Sequence, residues 1–290
     1  MTSRRPLLWL MAQLILQGQD GRWLPLTVYS DRPVALQRAD IRVRCGDADV
    51  PGARLKPGGG AVSVGIVFQG SKALLDNTGD AQAALRQFLH SAQRGDEFFT
   101  VNSVDAPVLG VGFTAEVNTL VSSISLPPGK RQAHLLDGMA FALQYLGHAR
   151  NTNRALLVIY ANDDAASAIK PGELAARLFS ARVPVYVVSL CPRPGEARQA
   201  LFPDLQKLAK DSGGDAWGVS SFAKLSDTLA RVDVRPQYRL ELPFTAHAAC
   251  AEAKRLSIDW VSGADHGGIN LRYQRQWPNG FGLGGWQSRR

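Results

Sequence analysis

The sequence is poor in cysteine, in histidine and in long apolar runs, and each shortage excludes something. Three cysteines, Cys45, Cys191 and Cys250, stand far apart among 290 residues. No CxxC pair occurs, which removes zinc ribbons and dithiol redox motifs. The odd number leaves at least one thiol unpaired. Either all three are idle thiols, or one long-range disulfide forms in an oxidising compartment. None of the five histidines sits in an HExxH context. His134 and His148 share one expected helix but lie too far apart to hold a metal together. There is no GxSxG elbow for a serine nucleophile. Gly58-Gly59-Gly60 lacks the GK[ST] ending of a phosphate loop, and no helix opens after Gly110 and Gly112 as a dinucleotide fingerprint requires. Catalysis needs a nucleophile, a base and an orienter in contact. No motif here supplies them, so the expectation is a non-enzyme with no cofactor.

The charge is one-sided but dispersed. Thirty-three Lys and Arg against 25 Asp and Glu leave a net +8. No stretch interleaves aromatics with basic residues as nucleic-acid binders do, so a nucleic-acid partner is not expected. The longest apolar run, Leu7–Leu16 behind Arg4-Arg5, is too short to cross a bilayer. It reads either as the apolar part of a signal segment without a small-residue cleavage site, or as a first strand ending at Asp20-Gly21. No transmembrane helix is expected.

What is present is a globular composition, 45% hydrophobic and 20% charged. The first zone, 1–60, is β-like, with strands over Leu10–Gln17, Leu24–Tyr29 and Asp40–Cys45 and a Gly-rich loop at Lys56–Gly60. The second, 61–234, alternates strand and helix. Strands are expected at Val62–Phe68, Glu97–Asn102, Pro107–Phe113, Ala155–Tyr160, Val183–Leu190 and Asp215–Gly218. Helices are expected at Asp80–Gln93, Ala115–Ser123, His134–Arg150, Glu173–Ala181, Glu196–Ser212 and from Ser221 to about Val232. Continuous apolar strands with helical links imply α/β class, a mostly parallel sheet covered on both faces. The third zone, 235–276, returns to β, with strands at Gln237–Pro243, Arg255–Val261 and Gly268–Tyr273. It is expected to pack with the first as a small β-subdomain. The Gly-rich tail 277–290 is expected to be flexible, with Trp277 and Trp286 as candidate contacts; Trp217 reads as core packing.

Several segments carry a resemblance. Leu14–Arg22, with its Gln19-Asp20-Gly21-Arg22 turn, Ala39–Val43 with Gly46, Val50 and Pro51, and the strand Val64–Phe68 stand in one order. Phe113-Thr114, Val183–Val188, Gly213-Gly214 and Arg235-Pro236-Gln237-Tyr238 continue it. The set resembles the von Willebrand factor A (VWA) fold, and more closely a bacterial VWFA-related, Acidobacterial-type family. That resemblance implies a Rossmann-like fold. It also implies a metal-ion-dependent adhesion site (MIDAS) made from a DxSxS loop, a Thr and a further Asp. Here the first loop is Gln69-Gly70-Ser71-Lys72-Ala73, the Thr position holds Ala133, and the last Asp position holds Ala161. Of the five ligands only Ser71 is kept. Mg²⁺ requires hard oxygen ligands and usually one or two carboxylates, so a degenerate site without metal is expected.

The resulting expectation is a protein-interaction or assembly module working through a loop rim of Gln69, Ser71, Lys72, Lys130, Arg131, Asn162, Asp163 and Asp164. Its partner would be another protein. Asp137 is expected to cap or anchor a loop. The alternatives are a Mg²⁺- or Mn²⁺-dependent adhesin whose site is rebuilt on Asp163 or Asp164, and a structural subunit of a larger cell-envelope assembly. The resemblance implies a periplasmic, secreted or envelope-associated protein.

Overall fold

The computed structural model describes residues 23–30, 35–70, 74, 76–124, 134–161, 167–190, 203–261 and 270–276. At its centre is β5 (Val62–Gln69), an eight-residue strand buried at every position. Val62, Val64, Ile66 and Phe68 point to one face of the sheet and Val67 to the other. A strand buried on both sides has no place for a polar face, which is why its sequence is apolar without alternation. Gly65 is part of the same logic. A Cβ there would lie 2.5 Å from the Phe99 ring and 2.8 Å from Leu156, so the glycine makes room for the aromatic on the neighbouring strand.

β5 pairs in parallel with β6 (Glu97–Ser103) on one side and with β8 (Asn153–Tyr160) on the other. Outward from β8 come β9 (Val185–Leu190) and β10 (Asp215–Val219), both parallel; β7 (Pro107–Thr114) closes the opposite edge antiparallel to β6. The order is β10-β9-β8-β5-β6-β7. Helices α1 (Thr78–Leu89), α2 (Val117–Ser122) and α6 (Phe222–Leu229) cover one face through Leu85, Phe88, Leu120 and Leu225. Helices α3 (Leu135–Tyr145), α4 (Pro171–Ala181) and α5 (Pro203–Ser212) cover the other through Met139, Leu174, Leu178 and Leu205. Each such side chain contributes about 1.5–3 kcal/mol on burial. The fold is thus a Rossmann-like, mostly parallel six-stranded sheet between two helical layers.

Two smaller sheets are built from both ends of the described chain. One has the order β13-β1-β11-β4, from Leu271–Arg272, Trp23–Ser30, Tyr238–Pro243 and Arg54–Pro57. The other has the order β12-β2-β3, from Leu256–Trp260, Ile41–Cys45 and Ala48–Asp49. Ile41, Val43, Leu240, Leu242 and Leu256 form their shared core, together with Ala246 and Cys250 from α7 (Phe244–Ala253). The cysteine alternative resolves here. Cys45 and Cys250 are paired as a disulfide, with Cα atoms 4.6 Å apart, inside the range such a bridge requires; Cys191 lies outside the described residues. The chain enters and leaves the central sheet side by side. Gly58 N–H donates to Gln237 O at 2.7 Å and Gly59 N–H to Pro236 O at 2.6 Å. A Cβ on Gly58 would stand 2.3 Å from that Pro236 carbonyl, so only glycine fits.

Some elements differ from the sequence expectation. Helix α7 was not anticipated: Phe244–Ala253 is rich in alanine and has no apolar stripe to mark it. It begins after Pro243 and stops where Lys254 turns left-handed at φ 54°. Of the strand expected at Gly268–Tyr273, Leu271–Arg272 is strand. The described part of the helix expected from Glu196 starts at Pro203, a residue suited to a first helical turn. Helix α3 stops at Tyr145 and passes into a 3-10 turn, Leu146–His148. The segments Leu10–Gln17 and 277–290, with Trp277 and Trp286, lie outside the described residues.

Candidate functional site

The strand order places a crevice. From β5 the chain moves to β6 on one side, and later crosses back to β8 on the other. Such a reversal opens the carboxyl ends of the two diverging strands, where open α/β sheets bind their ligands. Here the crevice is floored by Gln69 at the end of β5, Ser103 at the end of β6 and Ala161 just after β8.

A run of hydrogen bonds ties these ends together. Gln69 is fully buried, and its Oε1 accepts from the Ala161 N–H at 3.1 Å. Gly70 N–H donates to Ser103 O at 2.9 Å, and Ser103 Oγ donates to His134 O at 2.6 Å. Gly138, in the first turn of α3, allows this approach: a Cβ there would lie 2.9 Å from Ser103 Cβ. Asp137 completes the set. Its Oδ2 accepts from Ala168 N–H and its Oδ1 from Ile169 N–H, both at 2.9 Å, while His134 Nδ1 stands 3.4 Å from Oδ2. Its own N–H donates to Ser167 Oγ at 3.1 Å. Burial pushes the Asp137 carboxyl up, but the N–H groups of Ile169 and Ala168 and the neighbouring His134 outweigh it, so the group titrates below its ordinary value. Asp137 is therefore a loop anchor, holding the segment that follows β8 against the start of α3.

Gln69, expected on a partner-binding rim, is instead buried, and its amide is committed to the junction between β5 and β8. It cannot touch a partner from there. The other rim residues, Ser71, Lys72, Lys130, Arg131, Asn162, Asp163 and Asp164, lie outside the described residues, as do Ala73 and Ala133. Ser103 and Ser167 were not singled out from the sequence. A lone serine carries no motif, and their parts depend on which strand ends become neighbours.

The described residues do not fit a divalent cation. A hard ion needs oxygen donors including one or two carboxylates. At this crevice β5 ends in an amide already used by a backbone N–H, and the segment after β8 begins with a methyl group. Among the described residues no three His, Cys, Asp or Glu side chains come together to hold a metal. The Ser103 hydroxyl donates to the His134 backbone carbonyl.

No family model matches the chain, and no curated protein matches it. Solved structures match in shape. Proximal thread matrix protein 1 from the mussel byssus, in a form with a zinc-occupied MIDAS motif, aligns with a TM-score of 0.53 at 12% identity, covering 66% of this chain and 50% of that one. A von Willebrand factor type A protein from Catenulispora acidiphila gives 0.49 at 10% identity over 89% of this chain and 63% of its own. BatB from Bacteroides thetaiotaomicron gives 0.46 at 16% identity over 59% and 96%. At such identities the likeness is one of fold, and the strand order is consistent with a Rossmann-like fold of the von Willebrand factor A type.

Proposed function

We propose that the chain is a non-catalytic protein-interaction or assembly module that works without a metal ion, its VWA-type domain having lost the adhesion-site ligands. The observation that supports this is the buried Gln69 side chain and its bond to Ala161 N–H. In the family this chain resembles, the corresponding loops meet through a cation. Here the end of β5 and the residue after β8 are joined by a protein hydrogen bond, and Asp137 fastens Ala168 and Ile169 in the same manner. A loop rim on such a scaffold is rigidly supported and suited to protein contact. Without a cation to attract an acidic group of the partner, Lys72, Lys130 and Arg131 supply the positive charge.

The test is thermal unfolding of the full chain with and without millimolar Mg²⁺, Mn²⁺ and Ca²⁺, with a chelator control. A ligand at a hundred times its dissociation constant adds about 2.7 kcal/mol, so binding is easily seen. No shift is expected. A chelator-reversible shift would overturn the metal-free reading and assign a rebuilt site to Asp163 or Asp164, making the chain a metal-dependent adhesin.

A further inference from the structure

The last described residue, Gln276, lines one end of a groove between α4 and α5 with a volume of about 460 Å³. Leu136, Leu205 and Leu208 line it with buried side chains that belong to the core. Ala175 and Phe179, on α4, line it half-buried. Phe179 thus keeps part of a large aromatic ring uncovered, beside leucines that need little more to be sealed from water. On the α5 side Lys207 and Asp211 pair with each other.

Three hydrogen bonds bring the chain to this end of the groove. Arg275 N–H donates to Asp211 O at 2.9 Å, near the close of α5, and Gln274 Nε2 donates to Phe179 O at 3.1 Å, near the close of α4. The same amide donates to Gln276 O at 2.8 Å, which fixes the last described carbonyl. The next Cα follows within about 3.8 Å. From Phe179 the groove runs back along α4 to Pro171. The eight helical steps between those residues measure about 12 Å at 1.5 Å each.

Trp277-Pro278-Asn279-Gly280-Phe281 comes next, outside the described residues, and it carries no charge. A residue that precedes proline favours extended backbone. At about 3.3 Å per residue, the four steps from Trp277 to Phe281 cover about 13 Å. That span equals the length of the groove. We propose that the groove is the docking site of the chain's own segment 277–281, with Trp277 against Phe179 and Phe281 toward Pro171. Two aromatic rings, each with about 150–250 Å² to bury, suit the apolar lining. An uncharged segment leaves the Lys207–Asp211 pair undisturbed. Because the segment is tethered at the mouth of the groove, its effective concentration there is in the millimolar range or above, so it occupies the groove ahead of a second copy. The groove is separate from the loop rim, and the inference is independent of the metal-free reading.

The experiment is chymotrypsin digestion of the full chain, with cleavage between Phe281 and Gly282 timed by mass spectrometry beside a free peptide of residues 274–290. In the chain this bond is expected to be cut at least about tenfold more slowly than in the peptide. Trp277→Ala removes the anchor without touching the α/β core, and is expected to bring the rate to within about threefold of the peptide's. Ala175→Trp fills the groove from α4 and is expected to do the same with the circular dichroism spectrum unchanged. Protection is expected to be constant over a roughly hundredfold range of protein concentration. The proposal is overturned if the bond in the wild-type chain is cut as fast as in the peptide, or if either variant, folded, leaves it protected. It is overturned as well if protection grows with concentration, which would assign the groove to the segment of a second copy.

Discussion

The central sheet and the two small sheets beside it are stabilised in different ways. In the first, β5, β6 and β9 are buried along their whole length, β8 at every position but Arg154, and helices cover both faces. Its stability is dispersed over many apolar contacts. The second assembles strands that are more than 180 residues apart, such as β1 with β11 and β2 with β12. Its core is small, and its support is particular: the Cys45–Cys250 bridge, the Arg44–Asp259 pair at 2.7 Å, and Tyr273 OH accepting from Ile258 N–H at 2.9 Å. Closing a long loop is costly in entropy. A region made of long-range pairings with little core therefore depends on a few fixed links, whereas a region rich in apolar contacts does not.

Substitutions can break this comparison. The largest effect is expected in the central sheet. Phe99 is fully buried and packs edge-on to Phe113 at 4.9 Å and against Tyr145 at 4.7 Å. Phe99→Ala should cost about 3–5 kcal/mol in urea unfolding, through lost burial and the cavity left behind. The next largest belongs to the small sheets. Cys250→Ser removes the bridge across 205 residues and should cost about 2–4 kcal/mol. Hydrogen exchange should then speed up in β2, β11 and β12 while β5 and β8 stay protected. Uniform loss of protection would show that the two regions unfold as one, and the contrast would fail.

Smaller effects sharpen the comparison at the crevice. Gln69→Ala deprives the half-buried Ala161 N–H of its partner and should cost about 1–2 kcal/mol, without changing the response to Mg²⁺. Asp137→Asn should cost about 1–2 kcal/mol at neutral pH. Its pH dependence has a definite sign. The folded carboxyl titrates below its ordinary value of 3.8, so its contribution is full above about pH 4 and is lost as pH falls through the folded value. The difference between wild type and Asp137→Asn should therefore shrink only in acid. A difference that changed near neutrality would point to another group.

Much of the central sheet was legible because its physics is local. Val62–Phe68 and Ala155–Tyr160 are continuous apolar runs, and only a strand covered on both faces accommodates them. The stripe Leu135, Met139 and Leu143 has helical spacing and lies on the buried side of α3. Helix α7 was not legible, since its alanines form helix without an apolar side to mark it. The site was legible only in part. Gln69 and Ala161 are conspicuous as substitutions in a resembled motif, but the bond between them depends on the neighbouring strand ends. Asp137 could be read as an anchor; which N–H groups it holds, those of Ala168 and Ile169, could not, because they lie some thirty residues away in another loop.

The paired passage at Gly58–Gly59 and Pro236–Gln237 has a mechanical consequence. Because the α/β body is entered and left at one point, tension passing between β1 and β13 need not travel through it. The load runs instead across the small sheets, with the Cys45–Cys250 bond as a covalent shortcut. The chain of the body between is a closed loop, touched besides by Gln274 and Arg275, which donate to Phe179 O and Asp211 O. Under pulling, the central sheet would keep its arrangement until the small sheets gave way.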